Sequence, residues 1–200
     1  MYLEGVYKLQ YPTVDTITQY LAQLGKNAFI YKIDLARAFR QLPIDPHDYD
    51  LLCLHWKGAY YCDLFCPFGQ VSGSSFCTRL TMFFSYLARQ KGHVTYTYVD
   101  DVVGCAPDEQ KALEGYQFLK NLLEELNFPL SKKKLVTPTQ VANCLGIIVD
   151  TRQQTVSIPE GKKQEILIKC EEIYYKKSIS VPHWITYVHT QTCTFIKDFY

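Results

Sequence analysis

Short runs of apolar residues alternate along this chain with longer segments in which apolar residues recur every three or four positions. The apolar run 29–33 predicts a strand, and Asp34 follows it directly. Alternating apolar and polar residues over 94–99 predict a second strand, which leads into Asp100 and Asp101. The apolar run resumes after these two carboxylates, so they are expected at the tip of a tight hairpin.

Three segments predict helices, and two hairpins lie beside them. Apolar residues at helical spacing begin at Phe76 and end before Gly92, and a longer helix is predicted from its N-cap Asp108 to Asn127, before Pro129. The remaining elements are a helix over 160–177, a hairpin that pairs 51–56 with 59–65, and a hairpin that pairs 144–149 with 155–158.

The order of strand, helix, strand, strand, helix and strand predicts an α+β fold. This alternation is typical of a ferredoxin-like sheet, a split βαβ arrangement with its helices on one face. The first strand and the strand that follows the hairpin tip are neighbours in such a sheet. Asp34, Asp100 and Asp101 are therefore expected close together at one edge.

The composition is that of an ordinary globular domain. Apolar residues make up 48% and charged residues 20% of the 200 positions, which excludes a disordered chain. Lysine and arginine total 21 against 20 acidic residues, so the formal net charge is only +1. This balance excludes a strongly basic arm and counts against tight binding of nucleic acid. No apolar run is long enough to span a bilayer, so no membrane partner is expected.

Eight cysteines are scattered along the chain, and none of them forms a CxxC pair. This spacing excludes the usual zinc sites. Most of the cysteines lie in apolar runs, which favours buried, reduced thiols in an intracellular protein. Together with an N-terminal segment unlike a signal peptide, this pattern predicts a location in the cytoplasm or nucleus and no secretion.

The carboxylates at the strand ends indicate a site for divalent metal. Carboxylates held close together disfavour joint ionisation, and a divalent cation relieves that repulsion. Hard oxygen ligands select Mg²⁺, and two such ions stabilise both the attacking and the leaving oxygen of a phosphoryl displacement. The competing interpretation is that Asp100 and Asp101 form only a hairpin turn, since aspartate is common in turns.

Several motifs, in order along the chain, resemble those of reverse transcriptases. Tyr98-Val99-Asp100-Asp101 resembles the YxDD box, and the segment 31–40 resembles the first metal motif of the same family. Pro67-Phe68-Gly69 resembles the PFG motif that lies between them. Leu130–Lys134 resembles the following motif, which ends in a lysine, and Cys144–Ile147 resembles the LGI hairpin at the primer. The ordered set covers most of the chain.

The resemblance implies an RNA-directed DNA polymerase that transfers a nucleotide from a dNTP to a primer 3′-hydroxyl. It implies two Mg²⁺ ions, with Mn²⁺ as a substitute, held by the carboxylates of Asp34, Asp100 and Asp101 and by the carbonyl of Leu35. It assigns to Lys134 the role of a catalytic proton donor near the leaving pyrophosphate. The competing interpretation of Lys134 is a solvated run of charge.

The same resemblance implies where the substrate and primer lie. The residues implied to line the substrate are Phe39, Phe68, Gly69 and Tyr98, and those implied to grip the primer are Leu145 and Gly146. The Phe39 ring would lie under the sugar and exclude a 2′-hydroxyl, whereas core packing is its alternative role. The implied partners are an RNA or DNA template-primer and a dNTP, and the oligomeric state stays open.

Comparison with the family also implies the domain organisation. Residues 1–160 correspond to fingers and palm, with the palm core at about 29–158, and residues 161–200 to a partial thumb or a degenerate tail. The family's basic fingers residues would lie upstream of Tyr11, so a truncated retroelement fragment that polymerises poorly is expected. Residues 181–200 show neither helical nor strand periodicity.

The segments 42–46 and 145–159 most resemble retrotransposon enzymes of the DIRS-type, tyrosine-recombinase-encoding group. Two other functions stay open. One is a catalytically inactive relic that only folds or weakly binds nucleic acid, which the near-neutral charge favours. The other is a different metal-dependent phosphotransferase or cyclase on the same palm, against which Phe39 and the Leu145-Gly146 hairpin argue.

Overall fold

The computed structural model describes residues 11–70 and 72–175, with side chains up to residue 172. Its helices are α1 (Val14–Leu24), α2 (Gly73–Gln90), α3 (Glu109–Glu125) and α4 (Glu160–Tyr175), and short 3₁₀ helices cover Ala38–Gln41 and Pro46–Leu52. Its strands are β1 (Phe29–Asp34), β2 (Cys53–Trp56), β3 (Ala59–Cys62), β4 (Val94–Tyr98), β5 (Asp101–Ala106), β6 (Val136–Thr139), β7 (Val141–Cys144), β8 (Ile147–Asp150) and β9 (Thr155–Ser157).

Four strands form the central sheet in the spatial order β4-β5-β1-β6, and every neighbouring pair is antiparallel. Counted within this sheet alone, the order is second, third, first, fourth, which is the ferredoxin-like order. The predicted α+β palm fold is therefore confirmed. Its fourth strand is β6, a segment for which the sequence analysis predicted no strand. β6 is hard to recognise in the sequence because it contains Pro138. Proline is tolerated there because β6 is an edge strand.

The two faces of β1 bury different cores. Tyr31 and Ile33 belong to the cluster that packs under α2 and α3. Ile30 belongs to a second cluster, formed with α1, β5, β7 and β8. Because side chains alternate along a strand, Lys32 and Asp34 share the second face with Ile30.

Helix α1 is an element that the sequence prediction missed. Thr13 and Thr16 form a capping box at its N-terminus, and Gly25 closes its C-terminus. Ile17 and Leu21 pack on the second face of the sheet, so the expectation that the helices all lie on one face is wrong. The cap residue, the apolar pair four apart and the terminal glycine were all readable in the sequence.

Helix α2 is confirmed, but its buried stripe differs from the apolar residues that predicted it. Phe76 and Phe83 are 50% and 52% exposed, whereas Phe84 is buried. The buried stripe includes Thr81 and Ser85, whose hydroxyl groups bond to the turn after β4 and to the β4 hydroxyl of Thr97. Such short side chains can face the sheet because their polar atoms are satisfied there.

Cys53 and Cys62 form a disulfide across β2 and β3, where they are register partners. The prediction of reduced thiols is wrong for these two, since their pairing depends on a strand register that spacing alone does not show. The described free cysteines are Cys66, Cys77, Cys105, Cys144 and Cys170, of which all but the last are buried. Cys193 lies outside the described residues.

The C-terminal part contains a small sheet of β7, β8 and β9. The predicted second hairpin is confirmed in its pairing of 148–150 with 155–157, and β7 is added to it. The predicted strand 144–149 is interrupted by a turn at Leu145 and Gly146. Helix α4 matches the predicted helix 160–177 as far as it is described, and the irregular segment 181–200 lies outside the described residues. Among the described helices, none is long and apolar enough to cross a membrane.

Candidate active site

The sheet brings the predicted carboxylates to one edge. Asp34, the last residue of β1, is the register partner of Asp101, the first residue of β5. Val99 and Asp100 form the two-residue turn between β4 and β5, since Tyr98 pairs with Asp101. Asp34 and Asp101 therefore lie opposite each other, and Asp100 lies beside them on the turn.

The turn that carries Asp100 has an unfavourable backbone conformation. Val99 has a φ angle of 53°, in a region that β-branched residues rarely adopt. The Thr81 hydroxyl of α2 donates a hydrogen bond to the Val99 carbonyl at 2.6 Å. The Leu35 backbone N–H donates to the Asp100 carbonyl at 3.4 Å. These two contacts tie the turn to the helix and to the end of β1, which maintains the strained conformation.

Each of the two facing carboxylates is paired with a lysine. The Asp34 side chain is 2% exposed, and its Oδ2 lies 3.1 Å from Nζ of Lys134. Oδ2 of Asp101 lies 2.8 Å from Nζ of Lys32. The Asp34 carboxylate raises the pKa of Lys134 above its ordinary value, so this ammonium keeps its proton at neutral pH. That state is the one a proton donor needs.

The pKa of the Asp101 carboxyl is shifted by its surroundings. Burial, and after it the neighbouring Asp34 carboxylate, raise the pKa of Asp101 from 3.8 to about 6. The ion pair with Lys32 opposes this rise but does not cancel it. Keeping Asp101 ionised therefore costs the folded state free energy.

This perturbation predicts a pH dependence of stability in the absence of divalent cations. Because the pKa of Asp101 is higher in the folded state, the unfolded chain releases this proton first as the pH rises. The stability contribution of the carboxyl is complete below its ordinary value of 3.8 and is lost as the pH passes about 6. Urea unfolding of the parent and of Asp101→Asn with EDTA checks this. The parent should lose stability relative to the variant between about pH 4 and about pH 7. Parallel pH profiles would contradict the prediction.

The fit of the site to metal is partial. Among residues 11–70 and 72–175, no group of three or more His, Cys, Asp or Glu side chains is arranged to hold a metal ion. Oδ1 of Asp101, however, is buried and has no hydrogen-bond partner. An unpaired buried carboxylate oxygen is costly, and a hard cation is the kind of partner that satisfies it. The free oxygen of Asp101 therefore suits a magnesium ion, and Asp34, Asp100 and the Leu35 carbonyl remain predicted ligands.

Sequence reasoning missed two residues of this site. Lys32 stands two positions before Asp34 on β1, so strand alternation places both on one face, and this signal was available. Thr81 had no such signal. Which turn a helix residue reaches depends on how the helix packs, and Thr81 contacts Val99, 18 positions away.

Phe39 and Phe68, from separate motifs, come together with ring centroids 5.6 Å apart. A Cβ atom on Gly73 would lie 3.3 Å from the Phe39 ring and 2.8 Å from Sγ of Cys66. A larger residue at the start of α2 would therefore displace the Cys66 thiol and crowd the Phe39 ring. Phe68 is 78% exposed, and Gly69 has a φ angle of 89°. The substrate roles of Phe39, Phe68 and Gly69 stay predictions, but the three lie together.

Tyr98 lies beside the carboxylates and is held by a second tyrosine. Its ring centroid is 5.2 Å from that of Tyr11. The Tyr11 hydroxyl in turn accepts a hydrogen bond from the Thr78 hydroxyl of α2 at 3.4 Å. These contacts fix the orientation of Tyr98, which is 44% exposed at the edge of the sheet.

The predicted primer-grip residues form the turn between β7 and β8. Leu145 and Gly146 have φ angles of 52° and 84°, and Asn143 Oδ1 accepts the Gly146 backbone N–H at 3.1 Å. A Cβ on Gly146 would lie 3.4 Å from Nζ of Lys162. The turn therefore places a lysine of α4 next to a half-buried glycine, an arrangement suited to a phosphate.

Known proteins are similar to this chain over the segment that contains these site residues. The family profile described as reverse transcriptase (RNA-dependent DNA polymerase) matches residues 4–149. The retrovirus-related Pol polyprotein from transposon gypsy of Drosophila melanogaster is 29% identical over 154 residues, which are 77% of this chain and 14% of that protein. The Pro-Pol polyprotein of feline foamy virus is 30% identical over 126 residues, which are 63% of this chain and 11% of that protein. This chain therefore spans a small part of either relative.

Solved structures have the same fold. The foamy viral protease-reverse transcriptase dRH in complex with double-stranded DNA matches with a TM-score of 0.67 and 17% identity, over 81% of this chain and 27% of that one. The complex with an RNA/DNA hybrid matches with a TM-score of 0.62 and 19% identity, over 70% and 18%. At these identities the structures show the fold alone, whereas the family profile and the two Pol polyproteins show that the chain belongs to the reverse transcriptase family of retrotransposon and retroviral Pol proteins.

Proposed function

We propose that this chain is a polymerase domain that transfers a nucleotide from a dNTP to a primer 3′-hydroxyl on an RNA or DNA template. The observation that carries the proposal is the register pairing of Asp34 with Asp101, which sets two carboxylates face to face. Relatives solved with an RNA/DNA hybrid or double-stranded DNA support a template-primer as the partner.

The residues of the site have distinct roles in this proposal. Asp34, Asp100 and Asp101, with the Leu35 carbonyl, would hold two Mg²⁺ ions. When bound, these ions would stabilise the charge on the attacking and leaving oxygens of the displacement. Lys134, protonated beside Asp34, donates its proton to the leaving pyrophosphate oxygen.

The other predicted site residues position the substrates. Phe39, Phe68 and Gly69 would form one wall of the nucleotide site, and Tyr98, the register partner of Asp101, would line it beside the carboxylates. Leu145 and Gly146 hold the primer strand. Holding the reacting groups in line is the main contribution that such residues make to a transfer reaction.

Primer extension by the purified chain tests the proposed function. We expect slow incorporation of dNTPs on a primed RNA template that requires Mg²⁺ or Mn²⁺ and falls steeply with salt, because the net charge is only +1. Asp100→Asn should abolish it. Extension without divalent metal, or equal extension by Asp100→Asn, would contradict the proposal.

Phe39 carries a prediction about sugar choice. Phe39→Ala should admit ribonucleotides, because it removes the ring that would clash with a 2′-hydroxyl. Loss of one such steric group is expected to lower the preference for dNTPs by about 10- to 1000-fold. Competing incorporation of dNTP and rNTP measures the ratio, with Phe83→Ala, an exposed aromatic on α2, as the control. An unchanged ratio would make Phe39 a packing residue.

A catalytically inactive relic is the second candidate, because each facing carboxylate already has a lysine as its counter-ion. Metal binding separates the two candidates. A polymerase domain should melt at a higher temperature with Mn²⁺, since a ligand that binds only the folded state stabilises it. An inactive relic should show neither this stabilisation nor extension.

The finer assignments belong to the same proposal. Residues 1–160 would be fingers and palm, with the palm core at about 29–158, and residues 161–200 a partial thumb or tail. The DIRS-type affiliation rests on the segments 42–46 and 145–159, and the intracellular location on the free cysteines. An adjacent reading frame for a tyrosine recombinase would support the DIRS-type group, and one for a retroviral integrase would contradict it.

A further inference from the structure

The ammonium group of Lys32 lies at the carboxylate pair, on Oδ2 of Asp101, next to the Oδ1 that has no hydrogen-bond partner. Nζ of Lys32 is 2.8 Å from Oδ2 of Asp101, and the two side chains are only 15% and 18% exposed. The backbone of Lys32 is fixed in the middle of β1, paired with Val103. A contact this sheltered is screened less by solvent and salt than a surface ion pair.

The side chain of Lys134 is more exposed to solvent than that of Lys32. Its side chain is 61% exposed, although its partner Asp34 is buried. It reaches the site from the segment that precedes β6 and can leave toward solvent. Lys32 projects from β1 itself, on the face that it shares with Asp34, and its side chain is mostly shielded from solvent.

The two lysines change the charge that a metal ion meets. Asp34, Asp100 and Asp101 together would present three negative charges, and Lys32 with Lys134 reduces the net charge to one. A divalent ion that approaches Asp101 finds Oδ1 free and Oδ2 occupied by a like-charged ammonium. The ion gains full access to the carboxylate only when Lys32 moves away.

We propose that Lys32 is a built-in counter-ion of Asp101 that competes with divalent cations and so sets the metal affinity of the site. The inference rests on the proposed polymerase function, because it concerns the same carboxylates. Lys32 acts through Asp101 and is a positioning residue. Because Lys32 competes in this way, the site without substrate binds a metal ion weakly. A metal ion binds more tightly together with a polyanionic substrate, whose charge offsets the ammonium.

The test measures binding of Mn²⁺ alone, without template or nucleotide. Electron paramagnetic resonance of free Mn²⁺ is recorded during titration of the full chain and of three variants. Lys32→Met should bind Mn²⁺ about 10- to 100-fold more tightly than the parent, which is the size of effect that outer partners of metal ligands usually have. Lys32→Arg keeps the cation and should match the parent. Lys133→Met, which removes an exposed lysine beside the site, is the control for net charge and should also match the parent.

Lys32→Gln covers the case in which Lys32→Met does not fold, because its amide can still donate to Asp101 without carrying charge. Tighter binding by a folded, uncharged Lys32 variant, with no change in the other two, supports the inference. Equal binding by the parent and the uncharged variants overturns it and leaves the proposed function standing. An equal gain in Lys133→Met overturns it as a general charge effect. No Mn²⁺ binding by any of the proteins overturns both the inference and the metal site of the proposed function.

Discussion

Replacing Gly104 by alanine is expected to destabilise the fold by about 3 kcal/mol, the upper end of what overpacking usually costs. Gly104 lies on β5 directly opposite Tyr31 of β1. An added Cβ would overlap the ring of Tyr31, which is 1% exposed. The ring cannot retreat, because its other end is closed by Gly115 of α3 and it meets the ring of Tyr116 edge-on at 6.2 Å.

Urea unfolding followed by circular dichroism measures this loss. The matched control is Gly161→Ala in α4, where an added Cβ meets no atom within 4 Å. That variant should keep the parental stability or gain a few tenths of a kcal/mol, up to about 1 kcal/mol, from better helix propensity. A loss below about 1 kcal/mol in Gly104→Ala would show that β1 and β5 can separate around Tyr31 at little cost.

Asp34→Asn is expected to abolish nucleotide transfer while leaving the fold intact. In the proposed site this change replaces a metal-binding carboxylate by a neutral amide. The resulting loss of several kcal/mol of transition-state stabilisation corresponds to a rate loss of at least ~1000-fold. Stability should not fall, because the like charge that raises the pKa of Asp101 is removed. The pair lost with Lys134 is largely solvent-exposed on the lysine side, so its contribution is small.

Single-nucleotide incorporation and thermal melting of the same preparation give the two readouts. Asp48→Asn, at an exposed carboxylate of a 3₁₀ helix, serves as the control and should behave as the parent in both. An Asp34→Asn variant that incorporates within about tenfold of the parent would remove Asp34 from the catalytic site. A variant that has lost its cooperative melting would instead assign Asp34 a structural role.

The central fold was predictable because its signals are local. Apolar runs with carboxylates at one end marked β1, β4 and β5, and a helix on each side of the hairpin determined the sheet order. β6 was not predictable in this way, since it is short and contains Pro138. The disulfide of Cys53 with Cys62 was missed for a related reason, because it depends on which residues of β2 and β3 are paired.

The residues of the candidate site likewise fall into those with local sequence signals and those without. The carboxylates and the two aromatic residues Phe39 and Phe68 belong to motifs and could be named from the sequence. Lys32 lies within a motif-bearing strand, but its pairing with Asp101 requires the neighbouring strand in register. Thr81 lies in no motif, and its contact with Val99 exists only because α2 packs across the end of β4. Local sequence patterns do not predict contacts between different secondary-structure elements.

Helix α2 joins two parts of the site that are distant in sequence. Its first residue, Gly73, abuts Phe39 and Cys66, and Thr81, about 12 Å further along the helix at 1.5 Å per residue, holds the Val99 carbonyl. A shift of the helix at one end must move the other. Evolution can then change these positions only in concert, so we expect correlated substitutions at 73, 81 and 99 among related sequences. The same linkage makes paired substitutions at Gly73 and Thr81 non-additive in a double-mutant cycle.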